Sequence, residues 1–313
     1  MADLMKLTAD EIEALKSLDK KYEIIRTHTL TVAAGGSSGF LCWGGGGGGK
    51  SFQILKALRE LGKEPGKGLT LINTKLTGPK LCKILEADPT GLFLVEDLED
   101  IFIERVVLNL LRSAFWGQEG PDGKMIRPIT YQTGNDNWNF DFNFEGAIIA
   151  TCNAALDDIP ELRALRTRID IYHMDGEREE LFAMAHQIAL KGYRDVTPAL
   201  AVQMWDFWTK HWPENRQPDL RMLPRMYRKY PHLADLKLKL TWEEILQSMI
   251  DEGDGEPVDT PSEARSFRLQ VALELRRKYG TNLTLILPEW TQRTGLSTKQ
   301  SYYNALNVVN GRR

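Results

Sequence analysis

The chain has 313 residues, enough for two or three domains with a sizeable core in at least one. Its 40 Lys and Arg against 43 Asp and Glu give a net charge of -3 and a pI near 6.0, which excludes a globally basic nucleic-acid coat and leaves room for local basic patches only. No apolar run reaches membrane-spanning length, no signal-peptide pattern follows Met1, and Cys42, Cys82 and Cys152 lack both metal-ligand spacing and an even count, so the expectation is a cytoplasmic protein with no membrane partner and small buried thiols.

In chain order, residues 8–18 read as a short helix, with Thr8 as N-cap and Glu11 three residues on, a capping-box spacing. A lead-in then runs to residue 36, closing a first segment, 1–36. Phe40 to Trp43 is an apolar run suited to a buried strand. Six glycines follow, Gly44, Gly45, Gly46, Gly47, Gly48 and Gly49, then Lys50 and Ser51. From 51 to 62, Phe52, Ile54, Leu55, Leu58 and Leu61 recur at helical spacing. Glycine runs also serve as flexible linkers, as Gly35 to Gly39 reads. Strand, glycine loop, Lys-Ser and helix is instead the context of G-x-x-x-x-G-K-[ST], a phosphate-binding loop. There the backbone N–H groups of Gly44–Gly49 turn toward one anion at a helix N-terminus. Lys50 would reach the β- and γ-phosphates of a nucleotide, the Ser51 hydroxyl would ligate Mg²⁺, and Phe52 would flank the nucleotide. A loop of glycine alone loses the most entropy on ordering, so it is expected to be mobile when empty.

Further strands are predicted at 69–72, at 92–95 ending in Glu96 and Asp97, at 147–152 ending in Asn153, and at 169–172, with helices over 78–87 and 101–115. Short apolar strands alternating with helices predict an α/β fold with a parallel sheet covered on both faces, over residues 37–175. Ligands of such sheets bind beyond the carboxyl ends of the strands, where each of these polar residues falls. Glu96 and Asp97 supply a carboxylate for Mg²⁺ and one for the attacking water, in either assignment. Glu99 and Asp100 read as a solvated helix start. Asn153 is placed to orient a water or touch the γ-phosphate, or is an ordinary turn asparagine. Residues 127–132 and 140–144 alternate with period two around Gly134–Asn137, predicting a β-hairpin insertion. Trp138 beside its tip either packs the hairpin or meets a ligand such as DNA.

Helices are predicted at 177–191, 197–211, 218–230 and 241–251, forming a helical region over 176–250, before an acidic Gly/Pro linker at 251–261. Residues 262–313 carry nine basic against three acidic residues in a chain that is acidic overall. Pro288 to Thr294 reads as a short helix, Gly295 to Ser297 as a turn, and Thr298 to Val308 as a second helix. This arrangement is similar to a helix-turn-helix, in which Arg293, Lys299, Gln300 and Asn304 would contact DNA, with Arg312 and Arg313 on phosphates. The alternative is a small helical bundle that docks on a protein partner.

Gly44 to Ser51, Leu92 to Asp97, Ile148 to Asn153 and Leu165-Arg166-Thr167-Arg168-Ile169-Asp170 occur in the order of an AAA+ ATPase, and over residues 37–250 the chain resembles that family. The motifs correspond to its Walker A, Walker B, sensor 1 and arginine-finger box. Asp219 to Leu223 looks like the start of its lid, with Arg221 as sensor 2. The helix from Leu76 to Leu85, the acidic pair and the hairpin look similar to AAA+ ATPases of tailed phages. The resemblance implies a five-stranded base, a helical lid and a ring of subunits, often six, that hydrolyses ATP with Mg²⁺ in a bacterial or phage-infected cell. Arg168 best matches the finger, with Arg166 and Arg163 as rivals. The all-glycine loop and the Glu-Asp order depart from the family pattern. Expected roles are a DNA motor or loader, a protein-remodelling ATPase, or a slow nucleotide switch.

Overall fold

The computed structural model describes residues 2–73, 77–96, 105–119, 125–132, 138–153, 167–214, 216–235, 239–251 and 282–294, together with 271, 275, 276, 278 and 279. Two compact units result, residues 1–256 and 257–313.

After a 3-10 turn at Ala2–Met5, α1 spans Ala9–Ala33. Thr8 and Glu11 make the expected reciprocal cap: the Glu11 N–H donates to the Thr8 hydroxyl and the Thr8 N–H to the Glu11 carboxylate. The helix does not stop at 18. Leu15, Leu18, Tyr22, Ile25, Thr29 and Val32 are buried at alternating spacings of three and four, and no Pro or Gly interrupts before Gly35. Then come β1 (Gly39–Trp43), α2 (Lys50–Glu60), β2 (Glu64–Pro65), β3 (Gly68–Ile72), α3 (Gly78–Ala87), β4 (Leu92–Val95), α4 (Arg105–Phe115), β5 (Gln118–Glu119), β6 (Met125–Ile126), β7 (Pro128–Tyr131), β8 (Phe140–Asn143), β9 (Ala147–Cys152) and β10 (Asp170–His173).

Six strands form one parallel sheet in the order β10-β1-β9-β4-β3-β2. Five were expected. The additional one is the two-residue edge β2, too short to carry a periodic signal, and its Pro65 is tolerated because an edge position leaves no ladder bond to lose. Side-chain alternation makes two buried layers. Phe40, Cys42, Leu92, Leu94 and Ile149 face α1 and α2, packing on Leu18, Tyr22, Ile25, Ile54 and Leu58. Leu41, Phe93, Val95, Ile148 and Ala150 face α3 and α4, packing on Leu81, Cys82, Leu85, Val107, Leu111 and Phe115. Each such side chain contributes about 1.5–3 kcal/mol on leaving water, so the sheet is a firm base for whatever its edges carry.

The predicted hairpin is β7 paired antiparallel to β8. Arg127 fixes it: this buried guanidinium donates to Ala114 O at the end of α4 and to Gly146 O ahead of β9, and lies 5.1 Å from the centre of the Phe144 ring. Trp138 is 38% exposed, with its ring 6.5 Å from that of Phe140.

Four helices follow, α5 (Arg178–Lys191), α6 (Pro198–His211), α7 (Met222–Asp235) and α8 (Trp242–Asp251). They share a core of Trp205, Trp208, Trp212, Met226, Tyr227, Leu246 and Ile250. The start of α7 lies four residues later than the spacing predicts, because Asp219 turns the chain ahead of it and accepts from the Arg221 N–H. His186 of α5 lies between the Glu11 carboxylate (2.7 Å) and Leu4 O (2.8 Å), tying this bundle to the chain's first turns.

In the second unit, α9 spans Leu283–Thr294, with Pro288 inside it rather than opening it. Ile286 and Trp290 are buried with Val271 and Leu275, and Glu289 accepts from Lys278 and Tyr279. Among the described residues no helix is long and apolar enough to cross a membrane.

Candidate functional site

The register of the sheet gathers the site. Trp43 pairs with Cys152 and Val95 with Ala150, so Gly44, Asn153 and Glu96 emerge together at the carboxyl edge. The Gly44 N–H donates to Cys152 O at 3.1 Å and the Glu96 N–H to Ile72 O at 2.8 Å. β1 lies between β9 and β10, the last two strands in the sequence, where the strand order reverses. That is the position at which open parallel sheets form a ligand crevice.

The six glycines divide into two sets. Gly44, Gly47 and Gly49 have φ of 141°, 78° and 86°, values that disfavour any side chain. A Cβ on Gly44 would strike Met174 O, and one on Gly47 would strike the Asp219 carboxylate. Gly49 is the left-handed residue directly ahead of α2. Gly45 and Gly46 have no atom within 4 Å of a Cβ position, and Gly48 has only Gly45 O at 3.9 Å. Two contacts restrain the loop at Gly47 and Gly48. The Tyr22 hydroxyl donates to Gly48 O at 3.1 Å, and the Leu220 N–H donates to Gly47 O at 3.3 Å. Burial, with Asp19 and Glu180 adding, holds the Tyr22 phenol well above its usual range, so it remains a donor.

Lys50 opens α2 and is 6% exposed. Its ammonium donates to Gly44 O (2.7 Å), Gly45 O (2.8 Å) and Asn153 Oδ1 (3.0 Å). The glycine loop and the end of β9 thus hold one cation of α2 at the edge of the sheet, and the partners of a buried ammonium offset its loss of water. Burial pushes the Cys42 thiol up to about 12 although Lys50 pulls the other way, so this cysteine is inert packing; Cys82 and Cys152 are buried as well. Ser51 is half-buried at the second position of α2, whereas Phe52 is 62% exposed. Trp43 and His173 stack at 3.7 Å, one residue short of the loop.

A triphosphate with Mg²⁺ fits this donor set. The space over Gly45 and Gly46 is open, a helix N-terminus and a lysine adjoin it, and Ser51 and Glu96 bring the hard oxygen donors that Mg²⁺ takes alongside phosphate and water. Among the described residues no group of three His, Cys, Asp or Glu side chains is arranged to hold a metal unaided.

Arg168 lies elsewhere. It precedes Asp170, which pairs with Phe40, so it sits at the amino edge of the sheet, with its guanidinium 5.3 Å from the centre of the Trp116 ring. Arg221 is exposed at the start of α7, two residues from the Asp219 that touches the glycine loop. Asp97, Glu99, Asp100, Arg163, Arg166, Lys299, Gln300, Asn304, Arg312 and Arg313 lie outside the described residues, as does the side chain of Arg293. Sequence reasoning missed Tyr22, and it named Asp219 only as the start of the lid-like segment and not as a neighbour of the glycine loop. Tyr22 was signalled by its place in the stripe of α1, and Asp219 by being a helix-capping residue type just ahead of α7.

No family model matches the chain, and no curated protein matches it. A solved structure described as Drosophila ORC bound to DNA is similar over 97% of this chain and 79% of that one, at 13% identity and a TM-score of 0.40. A likeness at that score decides neither family nor function.

Proposed function

We propose that the chain is an oligomeric ATPase of the AAA+ type that binds ATP with Mg²⁺ on Gly44–Ser51, hydrolyses it between subunits of a ring (a hexamer in the simplest case), and acts on DNA as a motor or loader in the cytoplasm of a bacterial or phage-infected cell. The observation that carries this reading is the 3.0 Å contact of Lys50 with Asn153, from opposite ends of the sheet's sequence, beside a glycine loop that opens a helix.

The backbone N–H groups of the loop and the N-terminus of α2 hold the phosphates, and Lys50 neutralises them. Asn153 orients the attacking water or the γ-phosphate. Ser51 with Glu96 or Asp97 would hold Mg²⁺, which when bound supplies further neutralisation of phosphate charge. The remaining carboxylate polarises the water. Arg168 acts on a second copy. A five-residue strand at about 3.3 Å per residue separates its edge from that of Lys50 by roughly 16 Å, too far to serve its own nucleotide. Such an arginine is worth about 10³–10⁵ in rate. The helices from 178 to 251 serve as lid, with Arg221 as sensor 2, a role supported by the hydrogen bond from Leu220 to Gly47.

ATPase rates with and without single- and double-stranded DNA test the whole reading. Stimulation by DNA is expected. Turnover indifferent to DNA moves the reading to a protein-directed ATPase whose C-terminal segment binds a protein. Lys50→Ala should abolish ATP binding. Arg168→Ala should keep binding and lose hydrolysis, and mixing the two variants should restore partial turnover; no recovery would refute a shared site.

A further inference from the structure

Away from the glycine loop, a cavity of about 470 Å³ opens at the amino edge of the sheet. Asn109, Arg112, Ser113 and Trp116 line it, spaced three, four and seven apart as one stripe along the end of α4, and Arg168 joins them from the turn before β10. The opposite stripe of α4, with Val107, Leu110, Leu111 and Ala114, is buried in the core, so the cavity-facing stripe is fixed in place. Trp116 is 52% exposed even though the Arg168 guanidinium lies over its ring. In a chain of net charge -3, this cavity carries two arginines and no carboxylate among the described residues that line it.

Two guanidiniums with an aromatic platform and adjacent amide and hydroxyl groups suit a polyphosphate, since planar forks accept phosphate oxygens in pairs. The phosphate cannot be the chain's own, because the glycine loop lies at the other end of the strands. We infer that Arg112 and Arg168 together form a receptor for the nucleotide phosphates held by a second copy of the chain, with Trp116 as the positioning residue that holds Arg168 extended toward them. This rests on the shared-site reading above and adds Arg112 and Trp116 to it. Stacking on Trp116 limits the rotamers of Arg168 in advance, so less is lost when the phosphate is engaged. Arg112, one helical turn before Trp116, brings the second charge to the same cavity.

The test uses the full chain, with ATP as probe and four variants: Arg112→Gln, Trp116→Leu, Trp116→Phe and Lys50→Ala. Arg112→Gln should bind ATP as the parent does and lose turnover tenfold or more. Mixing it with Lys50→Ala, whose own Arg112 and Arg168 are intact, should recover part of that loss. Trp116→Leu should lower kcat about tenfold with KM unchanged, and Trp116→Phe should restore most of it, a pattern that a merely structural role would not give. Thermal unfolding of the Arg112 and Trp116 variants should match the parent. Unchanged turnover in Arg112→Gln and Trp116→Leu, with Arg168→Ala inactive, overturns the receptor and leaves the shared site standing. Retained ATP binding by Lys50→Ala, or no turnover in the parent, overturns the nucleotide reading itself and the receptor with it. Weakened DNA binding by Arg112→Gln with full turnover assigns the cavity to nucleic acid and overturns the inference.

Discussion

Gly45, Gly46 and Gly48 stand where the fold makes no demand for glycine, while Gly44, Gly47 and Gly49 stand where it does. Alanine at 45, 46 or 48 should therefore leave urea unfolding unchanged or stabilise by about 0.4–1 kcal/mol through the unfolded chain. Alanine at 44 or 47 should destabilise by about 1–3 kcal/mol, from left-handed backbone and collision with Met174 O or Asp219. If phosphates lie against the open positions, the first three substitutions will weaken ATP binding even as they preserve the fold. Tyr22→Phe removes one donor to Gly48 O and should cost about 0.5–1.5 kcal/mol. The motif residues were legible because strand, glycine loop, Lys-Ser and helix follow one another at a fixed spacing in the sequence. Tyr22 was not, because it reaches the loop through packing between α1 and α2, and no local pattern records which stripe residue ends at a carbonyl.

Among the elements, the strands read off closely because all but the edge pieces are buried on both faces, which demands continuous Val, Ile, Leu and Phe. The second half of α1 was obscured by the charged run of Lys20, Lys21 and Glu23, of which Lys21 turns inward to donate to Glu180 and Asp175 O, although Leu18, Tyr22 and Ile25 keep the stripe. β2, β5 and β6 have two residues each and no period to detect. Arg127 read as an ordinary strand residue. Its burial is a tertiary fact, and burial pulls its guanidinium below the ordinary range while Glu145 opposes. Arg127→Leu should strand the carbonyls of Ala114 and Gly146 and lower stability by about 2–3 kcal/mol by urea unfolding, with the hairpin losing hydrogen-exchange protection first. An equally protected hairpin would show that β7 and β8 hold without the clamp.

At the scale of the whole molecule, charge separates the two units: in a chain that is acidic overall, residues 257–313 carry nine basic residues against four acidic ones. If that segment binds DNA, a chain ending at residue 256 should lose DNA affinity. The full chain should then weaken about a hundredfold between 50 and 200 mM salt for roughly four phosphate contacts. Binding indifferent to salt would point to a protein partner. Within the first unit, the hydrogen bond from Leu220 to Gly47 deserves a mechanical reading. Three residues, Asp219 to Arg221, form the short arm of a lever whose long arm is α7, and the fulcrum is the tip of the glycine loop. If the loop holds phosphates as proposed, a load that tilts α7 is delivered to them, and a change at them is delivered to the load. By reciprocity, whatever the helices push against must alter how tightly the loop holds its ligand.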